Sequence, residues 1–218
     1  MIRVLKIHNC FFIGFLIVLF GFICINCGCE NKQEEAAPDV DQDSEVSFSE
    51  EVNQILEQKK ELVKNIAQDP QLIRLVREAN LKNQALSDSD ISRLDERWQQ
   101  TEGIDDFIKP FITNDTALLL VAFQDENDVF SEIFVTDKKG LIIGETNKTS
   151  DYYQSDEEWW VQTFNEGMGR EFFGEIEYDE SSRSEAIPIY VPVVDPDSKE
   201  VIGVIKAVCD ITAIKLEL

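Results

Sequence analysis

The run IFVTDKKGLIIGETNKTSDYYQSDEEWW, residues 133–160, contains the pattern from which the fold of the chain can be predicted. Two short apolar segments, Phe130–Thr136 and Leu141–Glu145, are rich in the residues that β-strands favour. The four residues between them, Asp137–Gly140, are typical of a hairpin turn. The sequence therefore predicts an antiparallel pair of strands at this point.

The rest of this run, Thr146–Trp160, crowds aromatic and acidic side chains into a predicted loop and helix start. Large flat side chains beside a few fixed polar groups are typical of small-molecule pockets. Asp156 is predicted to cap a helix that ends near Gly167, with acids in its first turn. Because adjacent helical residues point about 100° apart, we expect one of Trp159 and Trp160 in the core and the other at a pocket or its rim. The alternative is that both only anchor the packing.

Three further strands are predicted in the C-terminal third: Glu171–Tyr178, Glu185–Val193 and Val201–Cys209. The connections between them are short, which favours an antiparallel meander. Together with the first two strands and the intervening helix, residues 128–214 predict a five-stranded antiparallel sheet with a covering helix. This is an α+β fold.

Residues 48–127 predict a helical N-terminal part of the same domain. Apolar residues recur there at helical spacing, beginning with Val52, Ile55, Leu56, Val63 and Ile66. Asp69 and Pro70 predict the end of one helix and the start of the next. The run ALLLVAF at residues 117–123 is apolar on all sides, so a helix capped near Asn114 and a buried strand are both compatible with it.

Residues 1–28 have the features of an export signal, with a basic start, an apolar run and small residues near a cysteine. The Gly28–Cys29 step resembles the cleavage region of bacterial lipoproteins, so lipidation is expected at Cys29. Cys27 is a second candidate, and an uncleaved anchor helix is the alternative. Residues 29–47 are acidic and lack aromatic side chains, which predicts a disordered tether that holds the domain away from a membrane.

Charge and rare residue types exclude several functions. The formal net charge of −23 repels nucleic acid. The only histidine, His8, lies in the predicted signal, which excludes histidine-dependent catalysis and histidine zinc sites from the mature domain. Cys209 is the only cysteine that follows Cys29, so we expect a buried, unreactive thiol and no disulfide within the domain. No cofactor or metal is expected.

Several motifs of residues 90–212, taken in order, resemble the Cache sensor domains. These extracytoplasmic ligand-binding modules are related to the PAS fold and are also called PDC sensors. The motifs are Trp98, the T-D-x-x-G hairpin at residues 136–140, an acid-x-x-Trp-aromatic helix start at Asp156, the V-P-V strand at residues 191–193, and an I-G-V strand that ends near Asp210. The resemblance implies a PAS-like domain that binds its ligand between the sheet, the loop after the second strand and the following helix.

The resemblance also implies which side chains face the ligand: Tyr152, Tyr153, Asp156, Trp159, Trp160, Tyr178 and Asp210. Glu157 stands where members that bind free amino acids carry an arginine, so an amino acid held by that clamp is not expected. Independently of the family, Asp210 ends an apolar strand. A carboxylate there needs a partner, such as a ligand amine or a buried arginine.

These observations lead to a hypothesis of a non-catalytic sensor or binding lipoprotein, periplasmic or on the cell surface, with a small cationic or amine-bearing ligand. Since the chain ends at Leu218, soon after the last predicted strand, we expect it to signal through a membrane partner. The alternative is a scaffold or interaction lipoprotein whose Cache-like domain no longer binds a ligand. An enzyme that uses paired carboxylates is disfavoured, because predicted helix starts and turns explain most of these acids.

Overall fold

The computed structural model describes residues 48–179 and 184–218, which form an antiparallel sheet with helices on both faces. The predicted export signal, the tether and the lipidation candidates Cys27 and Cys29 lie outside these residues. Within the described part of the chain, no helix is long and apolar enough to cross a membrane.

In the described part of the chain, five helices precede the sheet: α1 (Glu50–Ala67), α2 (Pro70–Asn83), α3 (Asp88–Gln100), α4 (Lys109–Thr113) and α5 (Asp115–Glu126). The hairpin strands β1 (Phe130–Asp137) and β2 (Ile142–Glu145) follow, and then α6 (Glu158–Phe164) and a short 3-10 turn, Asn165–Gly167. The chain continues through β3 (Phe172–Phe173), β4 (Glu177–Asp179), β5 (Ser184–Val194), β6 (Val201–Asp210) and α7 (Ile211–Leu216).

The last long strand, β6, lies at the centre of the sheet. The order is β2-β1-β6-β5-β3, and β4 also pairs with β5, beyond the end of β3. All the pairings are antiparallel. The prediction of an α+β fold with an antiparallel sheet is therefore confirmed.

One face of the sheet packs against α1, α2 and α5. Ile205, Ala207 and Cys209 of β6 lie on this face with no measurable exposure, among apolar residues such as Leu56 and Val63 of α1. Burial raises the pKa of the Cys209 thiol to about 12, so the thiol stays protonated near neutral pH. This face supplies most of the apolar core.

Helix starts on this side follow the sequence signals. The Asp69 carboxylate accepts hydrogen bonds from the backbone N–H groups of Gln71 and Leu72, and Pro70 occupies the first helical position. The Asn114 side chain accepts one from the N–H of Ala117, which begins α5. The strand alternative for residues 117–123 is therefore wrong.

The predicted strand Glu171–Tyr178 is wrong in one respect, because it is broken into β3 and β4. The break lies opposite Pro188 of β5, whose carbonyl accepts a hydrogen bond from the N–H of Gly174 at 2.8 Å. Proline has no N–H to return toward that side, so the ladder cannot continue there. Among the residues that the structure describes, the sheet therefore has six strands instead of the predicted five, and the connections between neighbouring strands are unchanged.

The prediction that Asp156 caps α6 is also wrong. The helix begins at Glu158 with Glu157 as its N-cap, and no side chain accepts a capping hydrogen bond there. Residues 155–157 form a turn instead, and the Asp156 side chain is exposed. The helix ends at Phe164, three residues earlier than predicted, because Asn165 takes a left-handed conformation with φ 49°.

Candidate functional site

The loop after β2 folds back onto the β1–β2 hairpin. The Gln154 N–H donates to the carbonyl of Gly140 at 2.8 Å, and the Ile142 N–H donates to the carbonyl of Tyr152 at 3.1 Å. Gly140 has φ +78°, and a Cβ placed on it would lie 2.5 Å from the Ser155 nitrogen. A glycine is required here, because only glycine allows both this conformation and this approach.

Helix α3 holds the loop from the other side. The Asp95 carboxylate accepts hydrogen bonds from the backbone N–H groups of Tyr152 and Tyr153, at 2.8 and 3.1 Å. The buried Trp98 donates its indole N–H to the carbonyl of Thr149 at 3.0 Å. The loop is therefore fixed at several points between a helix and the sheet.

Helix α6 brings both tryptophans onto this same face of the sheet. Trp159 stacks on Tyr190 of β5, with ring centroids 4.9 Å apart and planes inclined by 13°. Trp160 is buried and donates its indole N–H to the Thr136 hydroxyl at 2.9 Å. Both rings thus contact the sheet, and of the two only Trp159 remains half-buried.

A cavity of about 570 Å³ lies between this face of the sheet, the loop and the β4 segment. This volume is within the range of small-molecule sites. Its lining combines charged, polar and apolar side chains: Glu132, Phe134, Lys148, Thr149, Ser150, Asp151, Gln154, Glu177, Tyr178, Ala186, Pro188, Lys206 and Val208.

The floor of the cavity is built from cross-strand neighbours. One row of paired residues runs across the sheet from Glu145 on β2 through Phe134, Lys206 and Tyr190 to Phe172 on β3. The next row contains Glu132, Val208 and Pro188. Paired residues on antiparallel strands point to the same face. The sheet register therefore places a lysine between two aromatic rings on the cavity floor.

Charges of both signs meet in this cavity. Three carboxylates, from Glu132, Asp151 and Glu177, and two ammonium groups, from Lys148 and Lys206, belong to its lining. Nearby, burial and the charges of Asp151 and Asp156 raise the pKa of Glu157 above its ordinary value. Within the described residues, the lining thus presents charged groups of both signs.

Glu145 lies at the end of the first row and has no measurable exposure. Its Oε2 accepts a hydrogen bond from the Thr149 N–H at 3.1 Å. Its Oε1 has no hydrogen-bond partner among the residues that the structure describes. Burial raises the pKa of this carboxyl group to about 8, so it is mostly protonated at neutral pH.

The residues predicted to face a ligand are placed differently from one another. Tyr178 lines the cavity, and Trp159 contacts two lining residues, Phe134 and Lys206. Tyr152 is instead buried beside Trp98, with ring centroids 5.4 Å apart, and it does not line the cavity.

The remaining predicted residues lie outside the cavity lining: Tyr153, Asp156, Trp160 and Asp210. Tyr153 forms a backbone bridge to Leu141. Asp210 pairs with Ala186, which does line the cavity, but its carboxylate accepts hydrogen bonds from the N–H groups of Thr212 and Ala213. Asp210 therefore caps α7, a helix that the sequence reasoning missed.

Sequence reasoning also missed the charged residues of the cavity floor. Glu132 and Lys206 are the charged interruptions of the predicted strands Phe130–Thr136 and Val201–Cys209. Since side chains alternate along a strand, a charge within an apolar strand indicates a polar surface on one face. That signal was present in the sequence for both residues.

The site offers non-covalent binding groups: carboxylates, ammonium groups, hydroxyls and aromatic faces. Within the described residues, no group of three or more histidine, cysteine, aspartate or glutamate side chains is arranged to hold a metal ion. The groups that line or adjoin the cavity can recognise a ligand by charge and by aromatic contact.

Comparisons with known proteins return sensory domains. No family model matches the chain, and no curated protein sequence matches it. Among solved structures, the chain is similar to the extracellular domain of vpHK1S-Z8, a protein assigned as a histidine kinase, with 14% identity and a TM-score of 0.48 over 77% of this chain. The sensory domain of the Campylobacter jejuni chemoreceptor Tlp3 (CcmL) is similar over 76% of the chain, with 12% identity and a TM-score of 0.40.

A third similar structure is the ligand-binding domain of the Pseudomonas aeruginosa PAO1 amino acid chemoreceptor PctB in complex with L-Arg, with 12% identity and a TM-score of 0.43 over 75% of the chain. The matches span 56%, 64% and 53% of those three solved chains. The predicted resemblance is confirmed, because the solved structures that are similar to this chain are sensory and ligand-binding domains. At such low identities and TM-scores no ligand can be transferred from them, so the ligand class has to be inferred from the cavity.

Proposed function

We propose that this protein is a non-catalytic small-molecule sensor or binding domain that acts outside the cytoplasm. The observation that supports this most directly is the cavity of about 570 Å³ on one face of the sheet. Backbone and side-chain hydrogen bonds hold the loop after β2 and helix α6 in place beside this cavity. A site that is formed before the ligand arrives loses less entropy on binding.

The ligand is proposed to carry an amine. Glu132, Asp151 and Glu177 bring three carboxylates to one cavity, and the stacked rings of Trp159 and Tyr190 lie next to Lys206 of its lining. Carboxylates and aromatic faces both attract ammonium groups. The whole chain is also strongly acidic, with a formal net charge of −23, which favours the approach of cationic molecules.

The cellular arrangement belongs to the same proposal. The export-signal pattern of residues 1–28 and the Gly28–Cys29 step support a lipid anchor at Cys29, followed by the acidic tether. A domain held in this way would act as a periplasmic or cell-surface lipoprotein. It would pass its signal to a membrane partner.

A thermal-shift screen of the purified protein against amines, amino acids and carboxylates tests this proposal. We expect at least one amine-bearing compound to raise the melting temperature, because a ligand that binds only the folded state stabilises it. Glu177→Gln should reduce the shift. Glu175→Gln is the matched control, because it makes the same charge change two residues away at an exposed position outside the lining.

If no compound raises the melting temperature, the binding proposal fails. The scaffold alternative would then be favoured by capture of a partner protein that is unaffected by Glu177→Gln.

A further inference from the structure

Glu145 is a buried acid beside the cavity, and it is not one of the carboxylates of the proposed amine site. It ends β2, and its cross-strand partner is Phe134, which lines the cavity. Paired residues on antiparallel strands point to the same face, so the Glu145 side chain lies on the cavity side of the sheet. The loop after β2 closes over it, because the N–H of Thr149, a lining residue, donates to Oε2 at 3.1 Å.

The carboxyl group of Glu145 is only partly satisfied by hydrogen bonds. The residue has no measurable exposure, and within residues 48–179 and 184–218 its Oε1 meets no hydrogen-bond partner. A buried carboxylate that lacks hydrogen bonds is costly, so such a group takes up a proton instead. Burial accordingly raises the pKa of Glu145 to about 8. At neutral pH the group is therefore a neutral acid that becomes a carboxylate by losing one proton.

Two charged side chains of the cavity lining act on this carboxyl group. The charge of Glu132, on the neighbouring strand β1, raises the pKa of Glu145, and that of Lys148, in the loop after β2, lowers it. Asp151, further along this loop, is held by the Gln154 amide, which donates to its Oδ1 at 2.7 Å. Charges of the cavity are thus close enough to Glu145 to change its protonation.

The charged side chains of the neighbouring helices are directed to other partners or to solvent. The Asp95 carboxylate of α3 accepts hydrogen bonds from the N–H groups of Tyr152 and Tyr153. Helices α4 and α5 contact β2, and their charged side chains are exposed, where water and salt screen them: Lys109, Asp115, Asp125 and Glu126. The proton on Glu145 therefore responds mainly to burial and to charges inside the cavity.

We infer that Glu145 is a proton-linked part of the ligand site: a positive group that enters the cavity drives the proton off its carboxyl group. The O–H bond breaks, its electron pair stays on the carboxylate, and the proton passes to water. This inference rests on the proposed function, because it needs a positively charged ligand. Since a nearby positive charge lowers the pKa of a carboxyl group, binding releases a proton and becomes tighter as the pH rises toward about 8.

Titration calorimetry of the native protein at pH 7 measures the released proton. The probes are the alkylamines and alkylguanidines of two to six carbons, whose positive charge does not titrate near this pH. Each is titrated in phosphate and in Tris, because a released proton adds the ionisation heat of the buffer to the observed enthalpy. We expect roughly 0.4 proton or more per bound probe, which corresponds to a pKa that falls from about 8 by about one unit or more.

The pH dependence of affinity is a second readout of the same linkage. The association constant of a probe should be at least about fivefold larger at pH 8 than at pH 6. Glu145→Gln keeps the shape of the neutral acid but has no proton to lose, so its affinity at pH 8 should stay as low as at pH 6. Glu157→Gln is the matched control, because Glu157 is an exposed glutamate whose pKa is also raised. This variant should release the proton as the native protein does.

The outcomes separate the inference from the proposed function. If the probes bind but release no proton, or if Glu145→Gln keeps the release, the inference is overturned and the proposed function stands. An amine from the thermal-shift screen replaces the series in the same titrations if it binds and the series does not. If neither the series nor any amine of the screen binds, both are overturned. A melting temperature at or above that of the native protein verifies that each variant is folded.

Discussion

The two faces of the central strand β6 differ in what their side chains do. Ile205, Ala207 and Cys209 point to α1, α2 and α5 and pack among apolar side chains. Lys206 and Val208 alternate with them and face the cavity. Because the face that packs against α1, α2 and α5 supplies most of the buried apolar surface, the other face can carry charges without unfolding the domain. Under the proposed function, stability and ligand recognition thus belong to opposite sides of the same strand.

Truncation of two neighbouring residues of β6, one on each face, tests this difference between the faces with the largest expected effect. Ile205→Ala should lower the free energy of unfolding by about 3 kcal/mol, because it leaves a cavity in a close-packed core. Lys206→Ala should lower it by less than about 1 kcal/mol, since its side chain is only half-buried. Urea denaturation measures both values. Equal decreases in the free energy of unfolding would show that the cavity face contributes to stability as much as the face that packs against α1, α2 and α5.

A second prediction concerns the loop that encloses the cavity. Gly140→Ala should lower the free energy of unfolding by about 2–4 kcal/mol, because a Cβ would lie 2.5 Å from the Ser155 nitrogen at φ +78°. Gly103→Ala is a matched control at φ +70° with no atom within 4 Å of the added Cβ, so it should cost about 1 kcal/mol. Thermal and urea unfolding compare the two. A similar cost for both variants would mean that the loop can move away from the hairpin.

A third prediction depends on pH and concerns the buried carboxyl group beside the cavity. The folded-state pKa of Glu145 is raised from 4.5 to about 8. The folded state therefore binds more protons than the unfolded state between these values, and stability should fall as the pH rises from about 4.5 to about 8. Glu145→Gln should be more stable than the native protein by about 4 kcal/mol at pH 9 and nearly equal to it at pH 5.

Unfolding curves of both proteins from pH 5 to pH 9 measure this difference. Glu132→Gln is not a clean control, because the Glu132 charge itself contributes to the raised pKa of Glu145. The exposed Glu175→Gln is preferable. Parallel curves for the native protein and Glu145→Gln would contradict the prediction.

Local signals in the sequence predicted much of the fold. Asp69 and Pro70 act through neighbouring backbone groups, so their roles can be deduced without tertiary contacts. The break opposite Pro188 and the hydrogen bond from the Tyr152 N–H to the Asp95 carboxylate both join residues distant in the chain, so local signals did not predict them. The capping role of Asp210 was missed because α7, the helix that it caps, has only six residues and a weak sequence signal.

The candidate site was predicted less well than the fold. The aromatic run at residues 152–160 lies beside the cavity, which Gln154 lines, yet Tyr152 and Trp160 are buried in packing roles. The cavity floor comes from Glu132 and Lys206, which become neighbours of the loop only through strand register. A single charge within an apolar strand indicated each of these two residues. That they line the same cavity could not be predicted without knowing which strands lie side by side.

The interruption of the outer strand opposite Pro188 has a consequence for solubility. Beyond β5 the sheet ends in two fragments, β3 with two residues and β4 with three. An edge strand templates aggregation when it offers a long, regular row of backbone donors and acceptors to another chain. Fragments this short cannot offer such a row. The proline that divides the outer strand therefore also protects the domain against edge-to-edge association with other copies of itself.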